Sequence, residues 1–284
     1  MIGMNATRGS AAVPKTIVVP LDGLKFSEQA LLPAVNLSKQ SGAEIVVLTV
    51  RPGGATGDEV SELEPAMIRA GAGSARIVVV EARSAADGIA ARAASEPEAV
   101  ICMTTHARSR AGQAMFGTVA EELIRRTDVP ILFIGPAAAT SKDQRYEQIV
   151  VCLNGSHAAA EAIPVATTFA GDLGLDPWLV EVVDPHWREV TSADGIDIEE
   201  SYALHRVADE LRTSGLDANW ETLHSDDPAA AIEEFAGTLR SPIIAMTTHG
   251  RSGLARVAIG SVAMSVVRRS TCPVLVVRSR GLEG

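Results

Sequence analysis

The chain has 284 residues, a formal net charge of −10 at pH 7, 46% hydrophobic and 21% charged residues, and three cysteines. That length suggests about two domains, each able to bury an apolar core without disulfide or metal staples, and the composition excludes a disordered chain. The acidic balance argues against a general nucleic-acid binder, which needs clustered Lys and Arg, and the longest apolar runs are strand-sized, so no membrane span is expected.

The opening MIGMNATRGSAAVP lacks a basic start followed by an apolar stretch. It reads as a loose tail over 1–14 rather than a secretory signal, and a cytoplasmic protein is expected. From residue 17 onward, short apolar runs alternate with helix-like segments. The first set of strand candidates is IVVPL (17–21), EIVVLTV (44–50), RIVVV (76–80), AVICM (99–103) and PILFI (130–134). SEQALLPAVNLSKQ (27–40) has helical spacing, whereas Arg51 to Gly73 is glycine-rich and predicts an abbreviated or irregular helix. A linker around 135–147 follows. The second set is IVVCL (149–153), WLVEVV (178–183), a weaker NWETL (219–223), IIAM (243–246) and PVLVV (273–277). VADELRTSG (207–215) is helix-like, and Asp227 before Pro228 marks a helix start. Runs apolar throughout are strands covered on both faces, so each half predicts an α/β fold with a doubly wound, five-stranded parallel sheet. The expected units are 15–138 and 146–280.

The halves are copies. IVVPLDG at 17–23 matches IVVCLNG at 149–155, a displacement of 132, and MTTHARS at 103–109 matches MTTHGRS at 246–252, a displacement of 143. At the second displacement Gly117-Thr118 matches Gly260-Ser261, Arg125-Arg126 matches Arg268-Arg269, and Pro130 matches Pro273. The second copy therefore carries eleven extra residues, expected around 184–201.

Ligands of open parallel sheets collect beyond the carboxyl ends of the strands, where strand order reverses. After the first strand stand Asp22-Gly23 and Asn154-Gly155. A short acceptor there suits a sugar hydroxyl or a cation, and it equally suits capping of the following turn. After the fourth strand, Thr247-Thr248-His249-Gly250 is followed by nine residues and then Gly260-Ser261-Val262. Ser261 opens the helix SVAMSVVRR, and the unpaired amides of a helix start suit a phosphate. Gly260 lets the backbone approach closely, and Gly250 gives freedom on the facing wall.

In this setting the chain resembles the universal stress protein family over nearly its whole length, as two tandem modules. The most specific stretch is THGRSGLARVAIGSVAMSVVRRSTCPVLVV at 248–277. Nucleotide-binding members carry Gly-x-x-Gly, nine residues, then Gly-Ser or Gly-Thr. The resemblance implies a Rossmann-like, adenine nucleotide alpha hydrolase-like fold. It implies ATP, with or without Mg, held by this loop, by an acid after the first strand and by backbone near the end of the second. The implied positions are Asp22, Gly23, Val50, Thr104, Gly117, Thr118 and Val119 in copy one. In copy two they are Asn154, Gly155, Val182, Thr247, Gly250, Arg251, Gly260, Ser261 and Val262. Thr104 and Thr247 depart from the first glycine, Ala107 departs from the second in copy one, and Asn154 replaces the acid in copy two. Copy two, which keeps more glycines, is the better expected phosphate site.

Thr118-Val-Ala-Glu121 has capping-box spacing, which would occupy the same amides. His106 and His249 recur at one position without a second ligand at metal spacing, so they are expected to shape a turn, and no metal site is expected. Arg108, Arg110, Arg251 and Arg256 suit either phosphate contact or solvation. Cys102, Cys152 and Cys272 read as core fillers. No nucleophile–base pair and no GxxxxGK[ST] loop appears, so fast hydrolysis has no visible machinery, and the resemblance implies ATP-dependent regulation in a stress response with little or no catalysis. The rivals are an interaction module with vestigial pockets and a slow ATPase. The apolar fifth strands, 130–134 and 273–277, are expected at sheet edges, where the two copies can pair within one chain. A homodimer of that unit is a further expectation.

Overall fold

The computed structural model describes residues 14–51, 59–105, 117–185, 196–248 and 260–279. In half one the runs become β1 (Thr16–Pro20), β2 (Glu44–Arg51), β3 (Arg76–Glu81), β4 (Ala99–Thr104) and β5 (Ile131–Ile134). The helices are α1 (Leu31–Ser41), entered through a 3-10 turn at Ser27–Ala30, then α2 (Glu59–Ala70), α3 (Ala85–Ser95) and α4 (Thr118–Arg126). Half two repeats the order as β6 (Gln148–Leu153), α5 (His157–Ala160), α6 (Ala162–Leu173), β7 (Asp176–Val183), α7 (Ile196–Thr213) and β8 (Asn219–His224). It ends with α8 (Pro228–Gly237), β9 (Pro242–Thr247), α9 (Ser261–Arg269) and β10 (Val274–Val277).

The strands form one ten-stranded sheet in the order β3-β2-β1-β4-β5-β10-β9-β6-β7-β8. Neighbours within a half are parallel, whereas β5 and β10 pair antiparallel, as the two apolar edges led one to expect. Leu132 lies opposite Leu275, its own counterpart in the repeat, and Ile131–Val276 and Phe133–Val274 flank that pair symmetrically. A pseudo-twofold axis thus passes through the two leucines. Because the halves run in opposite senses, their strand carboxyl ends lie at opposite ends of the sheet.

Alternate strand residues supply two buried layers, and each layer is continuous across both halves. Ile17, Val19, Leu132, Ile149 and Leu275 pack with α1, α2, α6 and α7. Val18, Ile131, Phe133, Val150 and Val274 pack with α3, α4, α8 and α9. Covering on both faces is why the strand sequences do not alternate. All three cysteines are buried and free, and burial pushes the Cys102 and Cys152 thiols up to about 12 and raises Cys272 as well. Protonated thiols in apolar surroundings act as packing groups.

One local expectation is corrected. The stretch after Arg51 does not make an irregular helix: α2 is a 12-residue helix with Pro65 inside it. Leu63, Ala66 and Met67, at helical spacing, bury against the core and outweigh the proline. In the second copy α7 has 18 residues, so part of the insertion lengthens this same helix.

The linker is built into the structure. Tyr146 is fully buried, and its backbone N–H donates to Gln40 Oε1 at 3.0 Å while its carbonyl accepts from Gln40 Nε2 at 2.9 Å. The same Nε2 donates to the Leu173 carbonyl at the end of α6 at 2.7 Å, and Asn36 Nδ2 donates to the Ser141 carbonyl at 2.9 Å. Helix α1 of half one therefore satisfies backbone groups of the linker and of half two. The Tyr146 hydroxyl is buried with no hydrogen-bond partner among the described residues. An unpaired buried hydroxyl is unfavourable, so Tyr146→Phe is expected to leave stability unchanged or raise it by up to about 1 kcal/mol in a urea titration. A clear loss would show that the hydroxyl is engaged.

Candidate functional site

Strand order reverses beside β1 in half one and beside β6 in half two, which opens one crevice between β1 and β4 and another between β6 and β9. In the first, the Leu21 N–H donates to the Leu48 carbonyl at 2.9 Å and carries the β1–β2 ladder one residue further. The chain then turns at Asp22, whose Oδ1 accepts from the Leu24 N–H at 3.0 Å and from the Ser27 hydroxyl at 2.6 Å. In the second, Asn154 Oδ1 accepts from the Ser156 N–H at 3.1 Å and from its hydroxyl at 2.7 Å, and Ser156 in turn caps α5 by accepting from the Ala159 N–H. The turn-shaping role of both acceptors is therefore real. Gly23 and Gly155 follow with φ of 77° and 70°, a region that side chains other than glycine rarely adopt.

The floors of the crevices match closely. The Gly117 N–H donates to the Thr105 carbonyl, and the Gly260 N–H to the Thr248 carbonyl, each at 2.7 Å. Thr105 and Thr248 are tied to the fifth strands through bonds from their N–H groups to the carbonyls of Ile134 at 3.3 Å and Val277 at 3.0 Å. Each loop thus returns to the sheet at a fixed point and enters its helix with an extended glycine as the cap. Thr118-Val119 and Ser261-Val262 then occupy the first helical positions. The capping box expected from Thr118 and Glu121 does not form, because Gly117 is the cap and Thr118 is already helical. A glycine cap has no side chain to occupy the first-turn amides. At Gly260 a Cβ would stand 3.3 Å from the Thr248 carbonyl oxygen, so space there is tight.

The substitutions in the glycine pattern look different in three dimensions. Thr104 and Thr247 are the last residues of β4 and β9, paired with Ile134 and Val277 and almost wholly buried. A β-branched residue suits an extended ladder position, so the missing glycine does not distort the backbone. Val50 and Val182 pair with Val80 and Leu223. The Val50 methyls turn to α3, where a Cβ on Gly88 would meet them at 2.7 and 2.9 Å. Gly250 and Arg251, with His106, Ala107, Arg108, Arg110, His249 and Arg256, lie outside the described residues. Among the described residues no cluster of His, Cys, Asp and Glu could hold a metal ion, and no helix is long and apolar enough to cross a membrane.

Two features escaped the sequence reading. Thr105 and Thr248 are 1% exposed and fix the loop ends, and their repetition in the two MTTH motifs was the available signal. Glu181, the residue before Val182, is 4% exposed and stands opposite Leu153 and Thr222, where copy one has Thr49. An acid inside the apolar run WLVEVV was the sign of it. The far ends of the crevice helices are anchored as well: Arg126 pairs with Asp87 on α3, and Arg269 with Asp227, the cap of α8, at 3.0 Å. Bonds from backbone N–H of Ala230 and from Arg269 hold the Asp227 carboxyl below its ordinary range, and bonds from Ser84 and Arg126 do the same for Asp87.

The comparisons agree with this architecture. The universal stress protein family model matches residues 14–135 and again 145–278. A universal stress protein of Methanocaldococcus jannaschii is 31% identical over 147 residues, covering 47% of this chain and 82% of the relative. One from Mycobacterium tuberculosis is 26% identical over 195 residues, covering 65% of this chain and 63% of the relative. Among solved structures, a universal stress protein from Archaeoglobus fulgidus superposes with a TM-score of 0.65 at 16% identity, covering 93% of this chain and 98% of that one. A putative universal stress protein from Pseudomonas aeruginosa gives 0.66 at 18% identity, covering 94% of both. With the family model matched in each half and the same fold repeated around a pseudo-twofold axis, the chain belongs to the universal stress protein family as two tandem copies.

Proposed function

We propose that this protein binds an adenine nucleotide, ATP in the first instance, and acts through occupancy in a stress response rather than through catalysis. The observation that carries this reading is the matched pair of helix starts, each capped by a glycine and tied by its N–H to a buried threonine carbonyl. Such a start offers several backbone N–H donors and the positive end of the helix dipole to a triphosphate. In this reading Ser261 and Val262, or Thr118 and Val119, receive the phosphates, while Asp22 or Asn154 meets the ribose. Backbone at Val50 or Val182 meets the base. Gly250 and Arg251 are further proposed phosphate contacts in copy two, and Thr104 and Thr247 are proposed as the strand ends beneath the phosphates. A magnesium ion accompanying the phosphates would find the Asp22 carboxylate in crevice one and the neutral Asn154 in crevice two. The modules are taken as 15–138 and 146–280, and any further homodimer must use a surface other than β5 and β10, which are consumed within the chain.

Titration calorimetry of the full chain with ATP tests this. Gly260→Trp places a large side chain beside the Thr248 carbonyl and is expected to weaken binding at crevice two about tenfold or more, with the melting curve checking that the fold persists. Absence of binding at millimolar ATP would favour the interaction-module reading. Equal phosphate release by wild type and variant would exclude hydrolysis in that pocket.

A further inference from the structure

We propose that the two crevices are energetically coupled, so that a nucleotide bound in one changes the affinity of the other. The inference rests on the nucleotide reading above and adds a regulatory property to it. Although the crevices open at opposite ends of the sheet, each crevice helix ends beside the residue that follows the other half's fifth strand, next to that half's crevice floor. Helix α9 starts at crevice two with Ser261, and its last turn bears on Gly135, where a Cβ would stand 2.4 Å from the Val267 carbonyl oxygen and 3.6 Å from that of Ser270. Gly135 directly follows Ile134, whose carbonyl accepts from Thr105, and the Thr105 carbonyl accepts from Gly117, the cap of α4 at crevice one.

The reverse route starts at α4. Just beyond its carboxyl end, Asp128 meets Arg278 at 3.6 Å. Arg278 follows Val277, whose carbonyl accepts from Thr248, and the Thr248 carbonyl accepts from Gly260, the cap of α9. A helix of this length moves as a rod, so an anion that draws in its first turn displaces its last turn too. The two routes are related by the pseudo-twofold axis but differ in stiffness. One is backbone against backbone with no side chain between. The other is an ion pair with side chains 41% and 61% exposed, which solvent weakens. The coupling is one quantity shared by both sites, and the Gly135 contact is its main carrier.

The test uses ATP and calorimetry on the full chain, comparing wild type with Thr118→Trp and Ser261→Trp. A neutral, bulky side chain at these exposed helix starts blocks phosphate sterically and brings no anion of its own to the helix dipole, so each variant reports the opposite crevice alone. The product of the two wild-type association constants is expected to differ at least about fivefold from the product of the single-crevice constants. The difference should persist in high salt, where field effects through solvent are screened. One bound ATP in wild type, with one in each variant, is strong negative coupling and supports the proposal. Products agreeing within about twofold overturn the coupling and leave the nucleotide reading intact. No binding in a variant removes that crevice from the nucleotide reading and the coupling with it. Arg278→Ala should retain most of the coupling, whereas Gly135→Ala, where its melting curve shows it folded, should change it. The opposite ranking overturns the assigned route.

Discussion

Replacing Leu275 by proline is expected to lower stability by about 3 kcal/mol or more, read as a fall in the urea midpoint of the full chain. Leu275 is completely buried and sits in a strand paired on both sides, with Ala245 of β9 and Leu132 of β5. Proline removes a backbone donor from a ladder with no solvent to replace the bond, and it leaves part of the leucine's volume empty. The damage falls where the halves join, because Leu275 also belongs to the apolar layer shared by α1 and α6. Leu275→Ala separates the contributions: it keeps the backbone bond and should cost about 2–5 kcal/mol through the cavity alone. Because the pseudo-twofold axis passes through the Leu132–Leu275 pair, Leu132→Pro should have a comparable effect. An unchanged midpoint for either proline variant would mean that the junction contributes little, and the continuous sheet would lose its energetic meaning.

Much of this was readable from residue types. Val18 and Val19 face opposite layers, and a run apolar at both could only be a strand covered twice. The two displacements, 132 and 143, placed every strand of one copy on its counterpart, and the apolar fifth strands announced the junction because unpaired edges seek partners. The glycine-capped helix starts were legible as well, since Gly117-Thr118 and Gly260-Ser261 recur before an apolar-periodic stretch. What stayed hidden depends on three-dimensional setting. Whether Thr118 or Gly117 is the cap turns on one pair of backbone angles, which Thr-x-x-Glu spacing cannot fix. Helix α2 was obscured by the glycines before it, although Leu63, Ala66 and Met67 already had the spacing of a buried face. Thr104 looked like a defect in a glycine pattern until its place inside β4 made the side chain natural. Gln40, which binds linker and α6 backbone at once, has no local signature, because its partners lie about a hundred residues away.

Gly135 is the strongest example of a residue whose importance only the fold reveals, and Gly135→Ala is expected to destabilise the chain by about 1–3 kcal/mol. The new methyl would lie 2.4 Å from the Val267 carbonyl oxygen, closer than such atoms can approach, so something must shift. The obstacle is backbone in the last turn of α9, held by its own helix and by the Arg269–Asp227 pair at 3.0 Å. It cannot swing away as a flexible side chain would. Either α9 lifts from the sheet or the end of β5 bends, and both loosen the junction near Leu275. At roughly 2–4 °C per kcal/mol for a chain of this order of size, the melting temperature should fall by several degrees. Gly237 supplies the contrast: it ends α8, and a Cβ there would meet nothing within 4 Å. Gly237→Ala should therefore gain about 0.4–1 kcal/mol by reducing the freedom of the unfolded chain. The pair makes the argument specific to contact rather than to glycine as such. Were Gly135→Ala to melt with the wild type, α9 would not press on β5, and the packing that joins one crevice helix to the opposite half would have to be redrawn.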